Sequence, residues 1–115
     1  MNMESHFVTD DYSHCGTILK ECFAKLATRL RAEATDHVAH NLLHGEFEIA
    51  YESLVLACIE AKVPCSSSLT KTIESLGISL QLDRSSVFDA DFWQHAQEYF
   101  RSTELNSLVV KQEVP

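Results

Sequence analysis

The chain has 115 residues, 45% apolar and 23% charged, with 17 acids against 9 bases and a formal net charge of −8. One core fits that length and two do not, and the acidic balance argues against nucleic acid or anionic lipid as a direct partner. No apolar run approaches the ~18 residues needed to cross a bilayer, and the first six residues have neither the basic start nor the apolar stretch of a secretory signal. A cytoplasmic, soluble protein is the expectation.

Three glycines and two prolines leave little chain for loops, which favours helices. Residues 1–12 are polar and aperiodic and are expected to fray. From Thr17, the residues Ile18, Leu19, Cys22, Phe23, Leu26 and Leu30 recur at three- and four-residue steps, the mark of an amphipathic helix. Lys20, Lys25, Arg29 and Arg31 share its other faces with Glu21 and Glu33. Thr35 or Asp36 is suited to cap a second helix. Its Val38, Ala39, Leu42 and Leu43 are expected to face inward, and Gly45 suits a left-handed helix end.

A third helix is predicted over about 46–62. Phe47, Ala50, Tyr51, Leu54, Ala57, Cys58 and Ala61 form one broad apolar face, and Ile49, Leu56 and Ile59 fall opposite. A helix apolar nearly all round is central to its bundle or partly covered by a partner. Pro64 stops it. Ser66, Ser67 or Ser68 caps a fourth helix with Leu69, Ile73 and Leu76 inward, and Gly77-Ile78 reads as its Schellman ending. Leu80 and Leu82 tack down a connection over 79–85, and Ser86-x-x-Asp89 resembles a capping box. The last clear helix carries Phe92, Trp93, Ala96, Tyr99 and Phe100. Beyond Arg101 the periodicity fades, leaving a short helix, a strand or a packed tail open for 105–110. The expected fold is all-α, a compact single-domain bundle of about four to six helices over 1–115, with 1–12 and 103–115 frayed.

Residue types that carry chemistry are present without the spacing that chemistry needs. Cys15, Cys22, Cys58 and Cys65 lack the short C-x₂₋₄-C step of structural zinc sites and are expected to be reduced and packed. Cys65, before a helix start, is the best candidate for a reactive thiol. His37, His40 and His44 lie on one helical stripe, with Glu46 or Glu48 in reach as a further ligand, but no His-Glu-x-x-His order occurs. Neither a catalytic residue nor a cofactor is expected. Glu48 and Glu52 lie one turn apart, as on a solvated face.

The run Gly45-Glu46-Phe47-Glu48-Ile49-Ala50-Tyr51-Glu52-Ser53-Leu54, followed by Val63-Pro64-Cys65-Ser66-Ser67-Ser68, resembles a signature of small bacterial immunity proteins. That group includes the MafI-like and contact-dependent-inhibition immunity proteins. The resemblance is strongest over about 40–78 and weaker through the Phe92-Trp93 helix. It implies a non-enzymatic protein that neutralises the C-terminal domain of a cognate toxin, often a basic nuclease, by stoichiometric binding. It points to a contact surface around Glu46, Glu48, Glu52, Glu60, Asp83, Asp89 and Asp91, with Tyr51 and Trp93 as aromatic anchors. The rival expectation is a small helical adaptor or regulator, metal-binding through the His37/His40/His44 stripe. A monomer is expected; a homodimer through Ile49, Leu56 and Ile59 is the alternative.

Overall fold

Apolar side chains at helical spacing build five α-helices in the computed structural model: α1 (Asn2–Leu26), α2 (Ala32–Leu43), α3 (Phe47–Ala61), α4 (Ser67–Ser79) and α5 (Phe92–Glu113). One 3-10 turn, Ala27–Arg29, joins α1 to α2. The backbone is described for residues 2–86 and 90–113, and the side chains for 11–86 and 90–103. No strand occurs among the described residues, and the helices form one all-α bundle.

The outer helices are longer than the periodicity suggests. α1 starts at Asn2 rather than near Thr17, so residues 2–12 are helical. No proline interrupts this stretch, and its one glycine, Gly16, lies where the Phe47 ring presses on the helix. α5 likewise runs on past Arg101 to Glu113, with neither glycine nor proline to stop it. The open choice over 105–110 thus resolves to helix.

α2 begins at Ala32, ahead of the expected caps Thr35 and Asp36, with Arg31 as N-cap and no side-chain cap bond. Thr35 instead donates its hydroxyl to the Arg31 carbonyl at 2.9 Å. The buried stripe of α2 is Val38, Asn41 and Leu42, while Ala39 and Leu43 are exposed, against expectation. At 100° per residue, Leu43 lies about 140° around the helix from Val38. Being apolar does not bring it inside.

Three helices end alike. After α2 the chain turns left-handed at Gly45 (φ +71°), where Gly45 N–H donates to Leu42 and Glu46 N–H to Asn41 at 2.8 Å. After α3 the same turn falls on Lys62 (φ +53°), with Val63 N–H to Cys58 at 3.0 Å. After α4 it falls on Gln81 (φ +63°), with Leu82 N–H to the Gly77 carbonyl at 2.9 Å. Each is a Schellman closure, and Val63 and Leu82 are the buried apolar residues that follow two of them. The expected ending at Gly77-Ile78 is therefore displaced to Gln81, and Ile78 is 51% exposed rather than folded onto Ile73. The N-terminus of α4 is capped by Ser66, whose Oγ accepts from Leu69 N–H at 3.1 Å.

α3 is the central element and packs against α1, α2 and α5. Its Tyr51 is fully buried, meets Phe92 of α5 edge-on at 6.3 Å, and donates its hydroxyl to the Ile73 carbonyl of α4 at 2.7 Å. Gly77 is what permits this approach, because a Cβ there would meet both the Tyr51 oxygen and the Trp93 ring. Gly77→Ala is expected to lower stability by about 1–3 kcal/mol through overpacking, read as a drop in the urea unfolding midpoint.

Candidate interaction surface

The residues expected to meet a partner do not share one face. Tyr51 and Glu52 are each 0% exposed. They are interior groups, so neither is available for surface contact. Because α3 is buried on most sides, an acid one turn after Glu48 falls inside. There Ser86 donates its hydroxyl to Glu52 Oε1 at 2.9 Å. Ser86 thus serves a buried carboxylate, and Asp89, its expected capping-box partner, lies outside the described residues. Trp93 is half-buried over Gly77 and meets Phe100 edge-on at 6.1 Å.

The remaining acids are dispersed. Glu60 is exposed and pairs with Arg31 at 3.1 Å, an exposed link worth about 0–1 kcal/mol. Asp83 and Asp91 are exposed on the connection between α4 and α5, and the Asp91 carbonyl accepts from His95 N–H at 3.1 Å. Glu46 is exposed and its carbonyl accepts from Ala50 N–H at 2.9 Å, fixing the first turn of α3. Glu48 and Glu60 stand twelve residues apart on one helix, which is about 18 Å.

What the structure does bring together is a corner where α1 meets the α2–α3 turn. Tyr12 donates its hydroxyl to Glu48 Oε1 at 2.7 Å and lies 3.1 Å from the Gly45 carbonyl. Its ring sits 4.9 Å from that of Phe47, and the side chain remains 36% exposed. Burial, the bond to Glu48 and the nearby charges of Glu48 and Glu46 push the Tyr12 phenol up to about 12. Asp11, Tyr12 and Glu48 also line a groove of about 810 Å³ between α1 and α4. Leu43, two residues before Gly45, projects outward with 81% of its surface exposed.

Sequence reading overlooked Tyr12 and placed Leu43 inward. Tyr12 had a signal, since Tyr12, Cys15, Leu19, Cys22 and Leu26 continue one three-to-four-residue stripe. Leu43 had none, because its exposure depends on the phase of α2 against its neighbours.

The groups weighed for chemistry occupy other places. His40 and His44 are exposed with rings 4.5 Å apart, and His37 Nε2 is 3.4 Å from Asn41 Nδ2. Among the described residues, no three His, Cys, Asp or Glu side chains are placed to hold a metal together. All four cysteines are buried. Cys65, the expected reactive thiol, has its backbone N–H bonded to Thr103 Oγ1 at 2.7 Å and its sulfur 3.2 Å from the Tyr99 hydroxyl. Tyr99 already donates to the Val63 carbonyl, so the Cys65 thiol is the donor to Tyr99. Burial raises Cys15 and Cys22, and burial with the neighbouring Cys65 sulfur pushes Cys58 up to about 12. Burial also raises the Tyr51 and Tyr99 phenols.

The chain matches no protein-family model, no curated protein and no solved structure.

Two outcomes follow for the interior. Glu52→Ala is expected to cost about 2–4 kcal/mol in denaturant unfolding through a cavity and unpaired neighbours, with Glu52→Gln costing less. The raised thiols and phenols hold their protons in the folded state above the pH at which the unfolded chain releases them. Stability is therefore full below the ordinary thiol value of 9.0 and is lost as pH climbs toward the Cys58 value of about 12. Urea midpoints should be flat from about pH 7 to 8.5 and fall above about pH 9, with a shallower fall in Cys58→Ala.

Proposed function

We propose that the chain is an immunity-type inhibitor that acts in the cytoplasm by forming a stoichiometric complex with a cationic toxin domain, a nuclease by class. The observation that carries this reading is the corner at the α2–α3 turn, where Tyr12 meets Glu48, Leu43 stands exposed two residues before Gly45, and Asp11 and Glu46 are exposed. A toxin nuclease must hold phosphates and so presents a basic surface. An acidic molecule is steered toward such a surface, and then held by a few desolvated anchors.

The family-like run supports the reading through the fold. Gly45 makes the left-handed turn, Glu46 opens α3, Ala50 and Leu54 are core, and Glu52 is the buried carboxylate. These signature positions are used to build the scaffold. Gly45, Ala50, Leu54 and Glu52 thus serve the scaffold, and Glu46 also leaves its carboxylate exposed at the turn.

The test is co-purification, with the tagged chain as bait and the product of the adjacent upstream reading frame expressed in the lysate. Recovery of a one-to-one complex that blocks the toxin's activity is expected. Raising NaCl from about 50 to 500 mM should slow association roughly tenfold or more and leave dissociation nearly unchanged. A wild-type chain that neither binds nor inhibits that product overturns the proposal.

A further inference from the structure

We infer that the α1/α2–α3 corner is the contact surface itself, with Leu43 as its central anchor. Its partner surface has an apolar pocket bordered by lysine or arginine. This inference rests on the inhibitor reading and narrows it to one face of the molecule.

Four large apolar side chains are exposed among the described residues: Tyr12, Leu43, Leu56 and Ile78. Two of them, including the most exposed, fall at this corner. A lone exposed leucine is unremarkable on a protein surface. An 81% exposed leucine on a locked backbone, two residues before the Gly45 carbonyl that Tyr12 reaches, is a different case. The backbone is locked three ways: by the Schellman bonds at Gly45 and Glu46, by the Tyr12 hydroxyl on the Gly45 carbonyl, and by the Tyr12–Phe47 ring contact. An anchor held this way loses little freedom on binding, which favours slow dissociation.

Charge selects the occupant. Glu46 and Glu48 act together on the Tyr12 phenol, and Asp11 lines the same groove as Glu48. Lys71 lines that groove as well, and His40 and His44 flank Leu43 along α2. The Glu60 end of α3 is a contrasting surface, because Arg31 there is held between Glu60 and Glu33 and offsets their charge. The corner therefore presents an apolar knob at a turn that carries Glu46 and Glu48, the complement of an apolar pocket bordered by cations.

The experiment uses the purified full-length chain and the cationic domain recovered with it, followed by surface-bound kinetics at fixed salt. Leu43→Ala and Leu43→Asp are expected to weaken binding by about 10-fold and about 100-fold, mainly by faster dissociation. Glu46→Lys should slow association about 5-fold or more, whereas Glu60→Lys should change affinity less than about 2-fold. Thermal unfolding of each variant confirms that the fold is intact, as expected for exposed positions. If both Leu43 variants bind like the wild type, or if Glu60→Lys is the damaging change, the corner is not the contact and the inhibitor reading stands. If the wild-type chain binds no cationic domain, both fall.

Discussion

The bundle depends on the Tyr51 hydroxyl reaching the Ile73 carbonyl across a gap that only glycine leaves open. A phenol buried without a partner would cost about 1–3 kcal/mol. α3 carries that phenol in the middle of a helix that is apolar on nearly every side. The hydrogen bond fixes the rotation of α3 relative to α4, and the Phe92 edge contact fixes α5 against both. Once that rotation is set, the residue after Tyr51 is committed as well. Glu52 must go inside, and Ser86, 34 positions further along the chain, must come to meet it.

The same rotation decides what is left on the surface. α2 and α3 are joined by only three residues, 44–46, so the chain must reverse within a single left-handed turn. Gly45 adopts that conformation without strain. Lys62 and Gln81 make the equivalent turns after α3 and α4 with side chains that disfavour it. The tight reversal places α2 beside α3 with Val38 and Leu42 inward. It thereby turns Leu43 out and puts the Gly45 carbonyl within reach of Tyr12. Core geometry and exposed corner are two consequences of one constraint.

The helical class and the central place of α3 were legible in the sequence because they depend on periodicity and on the positions of Pro64, Gly45 and the serine cap. The placement of individual groups was not. An all-round apolar helix gives no phase from which to tell an inward acid from an outward one, so Glu48 and Glu52 read alike although only Glu52 is fully buried. Gly77 looked like a terminator, since glycine serves both as a helix stop and as a hole in a packed surface. Only the Tyr51 and Trp93 rings distinguish the two roles. Tyr12 was passed over because polar neighbours masked a stripe that continues into Cys15 and Leu19. Such misses arise from long-range contacts, which a local pattern does not encode.

The fate of the acids bears on how such a molecule binds. Formal net charge overstates what a partner meets: Glu52 is sequestered, and Glu33 and Glu60 share Arg31. The field that remains is sufficient to orient an approaching cationic surface, but exposed charges separated by a Debye length of about 8 Å act weakly at physiological salt. Affinity must then come from desolvated apolar contact, and few large apolar groups are available for it. A division of labour follows, in which dispersed carboxylates set the encounter rate and a small rigid apolar corner sets the lifetime. On the proposed reading, that division lets the exposed corner set partner choice while the buried Tyr51 core holds the fold.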